Sequence, residues 1–203
     1  INADGDGCGS ESALARLLGQ MGIRAIIVNP TPWPELFRWL LGDDVEERSA
    51  DGAKALAGVD RVIVLDISDL GRLGTLADAV RKMPKDALVI DHHLPGKEPP
   101  GATMLSDTAA CATAELVYDF ARERGLTITS AIAKSLYTAL VTDTGGFRFG
   151  NTSPRCLAVA ADLLTAGVDP EQMYARIYGS VPIGRLHLLR EASVDRAVAA
   201  FPG

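Results

Sequence analysis

The residues of this chain best equipped for chemistry are Asp4-Gly5-Asp6, Asp66, the run Asp91-His92-His93, and Asp143 followed by Thr144-Gly145-Gly146. Taken singly, each has an ordinary explanation. An Asp-x-Asp among glycines suits a turn, and an aspartate after an apolar strand suits a helix N-cap. Adjacent histidines at a strand end can hydrogen-bond locally, and Asp-Thr-Gly-Gly can simply end a helix. Taken together they point further. Carboxylates gathered in one place repel one another, so a fold that collects several must neutralise them with cations. Oxygen-rich ligands with some imidazole suit Mn²⁺ or Mg²⁺ better than Zn²⁺. Two such ions about 3.5–4 Å apart can clamp the attacking and leaving oxygens of a phosphoryl displacement.

These residues need elements that deliver them to one place. Ile23–Asn29, Arg61–Asp66 and Ala87–Asp91 are apolar, β-branched runs that read as strands. Ser10–Met21 and Leu70–Met83 read as helices between them, and Asp4-Gly5-Asp6 as a glycine-rich loop ahead of the first helix. Apolar strands joined by helices predict a three-layer α/β fold, a parallel sheet with helices on both faces. Ligands of such sheets bind at the carboxyl ends of the strands, where Asp66, Asp69, Asp91, His92 and His93 fall. From Ala109 the chain turns helical, with helices predicted over Thr113–Arg124, Ser130–Val141, Pro154–Ala166, Pro170–Tyr178 and Ile183–Ala200. Pro95–Gly101 is irregular and follows the histidines, where a mobile loop can border a site. His187 falls in the last predicted helix and reads as a surface residue.

Composition narrows the partners. The 203 residues are 47% hydrophobic and carry a net charge of −6, which disfavours a long basic groove for duplex nucleic acid. A small phosphorylated substrate held by metal ions needs no such groove. No apolar run is long enough to span a membrane. Cys8, Cys111 and Cys156 are widely spaced without a metal-type pairing, and read as reduced thiols of a cytoplasmic protein.

The ordered set Asp4-x-Asp6 with Gly9-Ser10, then Asp66, then Asp91-His92-His93, then Asp143-Thr144-Gly145-Gly146-Phe147 resembles the four motifs of the DHH phosphoesterase superfamily. The segments Ala112–Tyr118, Leu136–Thr144 and Phe147–Thr152 are similar to its nanoRNase and pAp phosphatase branch. That resemblance implies two divalent ions, Mn²⁺ first and Mg²⁺ second. Asp4 would ligate one, Asp6 the other, and Asp66 both, with His92 and Asp143 completing the ligand set of the second metal. It implies that His93 faces the substrate phosphate and that Asp91 orients the histidines. Ser10, at the start of the first helix, and Arg148 are further candidates for phosphate contact; for Arg148 a surface salt bridge is the alternative. A water activated by the two metals then attacks phosphorus in line.

The resemblance also implies a histidine four positions before Asp4, just ahead of Ile1, on a strand lying between Ile23–Asn29 and Arg61–Asp66. Residues 1–180 would be the catalytic domain and 181–203 a helix connecting to a substrate-binding domain. The implied substrates are short oligoribonucleotides or 3′-phosphoadenosine 5′-phosphate, with a homodimer as one assembly. Cyclic dinucleotide hydrolysis, inorganic pyrophosphate hydrolysis, single-strand DNA exonuclease activity and a degenerate nucleotide-sensing module stand as alternatives. The acidity and small size disfavour the exonuclease, and the intact acidic and histidine set disfavours the sensor.

Overall fold

The computed structural model describes residues 3–83 and 87–179. Five short strands run in chain order: β1 Ile26–Ile27, β2 Glu46–Glu47, β3 Ile63–Leu65, β4 Leu88–Asp91 and β5 Thr103–Ser106. Helix α1 is Gly5–Gln20, α2 Ala77–Arg81, α3 Thr113–Glu123, α4 Ser130–Asp143, α5 Pro154–Thr165 and α6 Pro170–Tyr178. All strand pairings are parallel, and helices flank the sheets in the predicted three-layer α/β arrangement.

The strands do not form one sheet. β1 pairs with β2, and separately β3-β4-β5 form a three-stranded sheet. β2 and β5 have no counterpart among the predicted strands. Glu46–Glu47 carries no apolar pattern, and β5 is an edge strand whose residues are mostly exposed, so neither leaves a hydrophobic signature. The strand predicted over Ile23–Asn29 is ladder-bonded only at Ile26 and Ile27.

Helix α1 begins five residues earlier than its composition suggests, so Asp4-Gly5-Asp6 is not a loop. Asp4 is the N-cap, its Oδ1 accepting from the Asp6 and Gly7 amides at 3.0 and 3.1 Å. The glycines serve packing. A side-chain carbon at Gly9 would lie 2.9 Å from Ala139 Cβ and closer still to the Ser135 carbonyl oxygen, and one at Gly5 would run into Thr142. Helices α1 and α4 therefore approach with backbone nearly against backbone. Around this contact Leu17, Ile132, Leu136 and Leu140 are fully buried, each contributing about 1.5–3 kcal/mol of apolar burial.

The helix predicted over Leu70–Met83 is broken. Gly74 takes φ +52°, a left-handed conformation that ends a 3-10 segment, and α2 begins afresh at Ala77. Its apolar side chains Leu70, Leu73, Leu76 and Val80 still pack together with Val64 and Val89 of the sheet. Helices α3 to α6 fall where predicted, to within two residues. Thr129 caps α4 and Ser153 caps α5, where Pro154 occupies the first turn. The chain divides into compact units at 1–169 and 170–203. In the second, α6 buries Met173 and Ile177, one helical turn apart. The helix predicted over Ile183–Ala200, with His187, lies outside the described residues. No described helix is long and apolar enough to cross a membrane.

Candidate metal centre

Strand register aligns the acidic ends. Leu65 of β3 pairs with Ile90 of β4, so Asp66 and Asp91 leave the sheet side by side. The Asp66 amide donates to the Ile90 carbonyl at 3.0 Å, and Asp66 adopts φ +59°, unusual for a residue other than glycine. Asp6 comes from the first turn of α1 and Asp143 from the last residue of α4, so the α1–α4 contact brings these two together.

Three of the predicted ligands converge on one atom of a fourth. His92 Nε2 lies 3.6 Å from Asp6 Oδ2, 3.7 Å from Asp66 Oδ1 and 3.6 Å from Asp143 Oδ2. His92 Nδ1 donates to the Ala110 carbonyl at 3.2 Å, which leaves Nε2 as the acceptor, buried and without a hydrogen-bond partner among the described residues. An imidazole lone pair thus faces three carboxylate oxygens with no donor between them, at distances too long for hydrogen bonds. Ligand oxygens and nitrogens about 2.0–2.2 Å from one ion lie at comparable separations from each other. The donor set fits a divalent cation.

Asp4 sits at the rim. One oxygen caps α1, and its charge helps to raise the Asp66 carboxyl.

Burial pushes the Asp6 carboxyl up to about 6, opposed by the Thr113 amide, and Asp143 is raised chiefly by burial as well. Asp66 is pushed up to about 10 by burial first, then by the charges of Asp6, Asp4 and Asp91. A divalent cation among these acids would offset both their burial and their mutual repulsion.

His93 is turned differently. Its Nδ1 meets Asp91 Oδ1 at 2.8 Å and its amide donates to the same oxygen at 3.1 Å, while its side chain is 41% exposed. Its Nδ1 is also 3.4 Å from Asp66 Oδ1. Asp91 therefore holds His93 alone; the Ala110 carbonyl, not Asp91, orients His92. Ser10 is not a surface donor at a helix start. It is fully buried in the second turn of α1, and its hydroxyl donates to Asp6 Oδ1 at 2.9 Å. Arg148 donates through Nε to the Gly145 carbonyl at 2.6 Å and makes no salt bridge among the described residues.

Three contributors are not among the predicted site residues. Thr113, at the start of α3, gives its amide to Asp6 Oδ2 at 2.7 Å and its hydroxyl to Asp66 Oδ1 at 3.1 Å. The Ala114 amide reaches Asp6 Oδ1 at 3.2 Å. Asn151 Nδ2 donates to the carbonyls of Cys111 and Asp143 at 3.0 and 3.2 Å. Asp69 has a different task from the strand-end aspartates: its carboxylate accepts from the Gly71 and Lys97 amides and fastens the Pro95–Gly101 loop.

Known proteins resemble this chain over most of its length. The N-terminal domain of the DHH family matches residues 1–140. A bifunctional oligoribonuclease and PAP phosphatase NrnA from Thermus thermophilus is 34% identical over 87% of this chain and 51% of its own length. Its Bacillus subtilis namesake is 27% identical over 88% and 55%. An exopolyphosphatase-related protein from Bacteroides fragilis, 26% identical, superposes with a TM-score of 0.84 over 94% of this chain and 57% of that one. The chain spans about half the length of the curated relatives it matches.

Proposed function

Because the chain belongs to the DHH family, we propose that it carries the catalytic centre of a metal-dependent phosphoesterase. Its substrates are phosphate esters of small nucleotides: short oligoribonucleotides and 3′-phosphoadenosine 5′-phosphate. The observation that carries this reading is the unpartnered His92 Nε2 facing Asp6, Asp66 and Asp143 at 3.6–3.7 Å. The similarity to the two NrnA proteins supports the substrate class.

Asp6, Asp66, His92 and Asp143 would hold one divalent ion, Mn²⁺ in preference to Mg²⁺, and Asp4 with Asp66 would share a second. Ions bound there supply the Lewis acidity that lets a water deprotonate near neutral pH and that offsets phosphoryl charge. The protein's own groups do the rest. Ser10, Thr113 and Ala114 donate to Asp6, and Thr113 to Asp66, which fixes the carboxylate rotamers before substrate arrives. Asp91 holds His93 by Nδ1, so Nε2 of this half-exposed ring is presented outward toward a phosphoryl oxygen. The guanidinium of Arg148, which forms no ion pair among the described residues, is a second phosphate contact. Residues 1–180 act as the catalytic domain, in the cytoplasm, with substrate selection shared with the remainder of the protein.

The test is phosphate or mononucleotide release from 3′-phosphoadenosine 5′-phosphate and from a short RNA, measured side by side with the full-length protein. Release requiring Mn²⁺ or Mg²⁺ and abolished by Asp66→Asn is expected. Metal-independent release, or release that survives this change, would overturn the proposal.

A further inference from the structure

We propose that Cys111, Glu115 and Cys156 form a second metal site, distinct in chemistry from the catalytic one, that takes a soft divalent ion such as Zn²⁺. Cys111 lies in the turn before α3, Glu115 in the first turn of α3, and Cys156 in the first turn of α5. One donor atom from each falls within 4.8 Å of the others, and all three residues are fully buried. A tetrahedral zinc shell with sulfur at about 2.3 Å places its donors about 3.5–3.8 Å apart, so small side-chain rotations close the site.

A second observation points the same way. Glu115 Oε1 is buried and has no hydrogen-bond partner among the described residues. Its other oxygen accepts from the Cys111 amide at 3.4 Å and lies 3.5 Å from Arg155 Nε. A buried carboxylate oxygen left unpaired is costly, and here it belongs to the same cluster as two sulfur atoms. Two thiolates and one carboxylate are balanced by a divalent ion and the Arg155 guanidinium.

The site braces the catalytic centre. Ala110 fixes His92, the Cys111 carbonyl receives Asn151, and Thr113 and Ala114 fix Asp6 and Asp66. An ion bound at Cys111 and Glu115 clamps this segment from behind. Ligand softness separates the two sites: the sulfur-containing one prefers Zn²⁺ or Cd²⁺, and the oxygen-rich one Mn²⁺ or Mg²⁺.

Because the cluster is buried, metal must enter during folding. The full-length protein should therefore be isolated from cells grown with Zn²⁺, and separately with Cd²⁺, then analysed for metal content and ultraviolet absorption. A thiolate-to-cadmium charge-transfer band is expected in the wild type and in Asp66→Asn, which disables only the catalytic site. The band should vanish in Cys111→Ser and Cys156→Ser. Glu115→Gln keeps both thiols and nearly the same shape, and should lose Zn²⁺ to a competing chelator about tenfold more readily. That variant and the wild-type spectrum decide the matter even where a cysteine variant fails to fold. Absence of a thiolate band in the folded wild type, or zinc retention unchanged by Glu115→Gln, would overturn the proposal.

Discussion

Replacing Gly9 by alanine tests the helix contact that sets the catalytic spacing. In an open helix the change stabilises by about 1 kcal/mol. At Gly9 the new carbon would sit 2.9 Å from Ala139 Cβ, against about 3.5–4.0 Å for carbon–carbon contact. The helices must therefore part by about 0.6 Å or more, and the carbonyl of Ser135, being backbone, cannot step aside. Overpacking of this kind costs about 1–3 kcal/mol, so after the propensity gain the net expectation is a loss of up to about 2 kcal/mol, or up to about 8 °C in Tm for a domain of this size. Asp6 stands one turn away on α1 and Asp143 at the end of α4. Since a 1 Å misplacement can cost about 100-fold in rate, turnover should fall about tenfold or more. Gly19→Ala is the control, because nothing lies within 4 Å of the carbon it would add; it should be neutral or stabilising. Calorimetry and metal-dependent phosphate release on both variants provide the readout. A Gly9→Ala protein as stable and active as the wild type would refute the account of the α1–α4 contact.

His93→Ala should leave Mn²⁺ affinity, measured by calorimetric titration, within a few-fold while lowering turnover by about 100-fold; a collapse of metal affinity would make His93 a ligand instead. Thr113→Val removes a buried hydroxyl that Asp66 accepts from. It should cost about 1–2 kcal/mol of stability and weaken Mn²⁺ binding about tenfold, with unchanged titration curves counting against it. The metal-free protein should become less stable as pH rises. Asp6 and Asp66 keep their protons above the unfolded value of 3.8, up to about 6 and about 10 respectively, so the folded state binds more protons throughout that window. Melting temperature without metal should then fall between pH 5 and 8, and Mn²⁺ should restore it; a rise without metal would contradict the assigned shifts.

What the sequence revealed depended on which signal each residue carries. The β-branched runs ending at Asp66 and Asp91 marked their strands, and helices α3 to α6 showed in periodicity and in caps such as Thr129 and Ser153. The start of α1 was hidden because Gly5 and Gly9 read as loop residues, whereas their reason is α4, which packs against them only in three dimensions. Ala110, Thr113 and Ala114 act largely through backbone groups, which carry no side-chain signature. Cys111 and Cys156 meet because α3 and α5 are neighbours, a fact invisible in their spacing. β5 escaped notice because an exposed edge strand needs no apolar alternation.

The left-handed backbone at Asp66 restricts what evolution can try there. In the proposed role the residue has to be an acid, to hold a cation with Asp6 and His92, and it must tolerate φ +59°. Asparagine and glycine accept that conformation readily but bring no charge. Glutamate brings the charge, but it lacks the short polar side chain that eases this conformation and adds a methylene beneath a carboxylate already buried against Thr113. Neighbouring substitutions therefore lose either the ligand or the turn. Lineages that change metal or substrate must do so around this residue, and copies that abandon catalysis are expected to record the event here first.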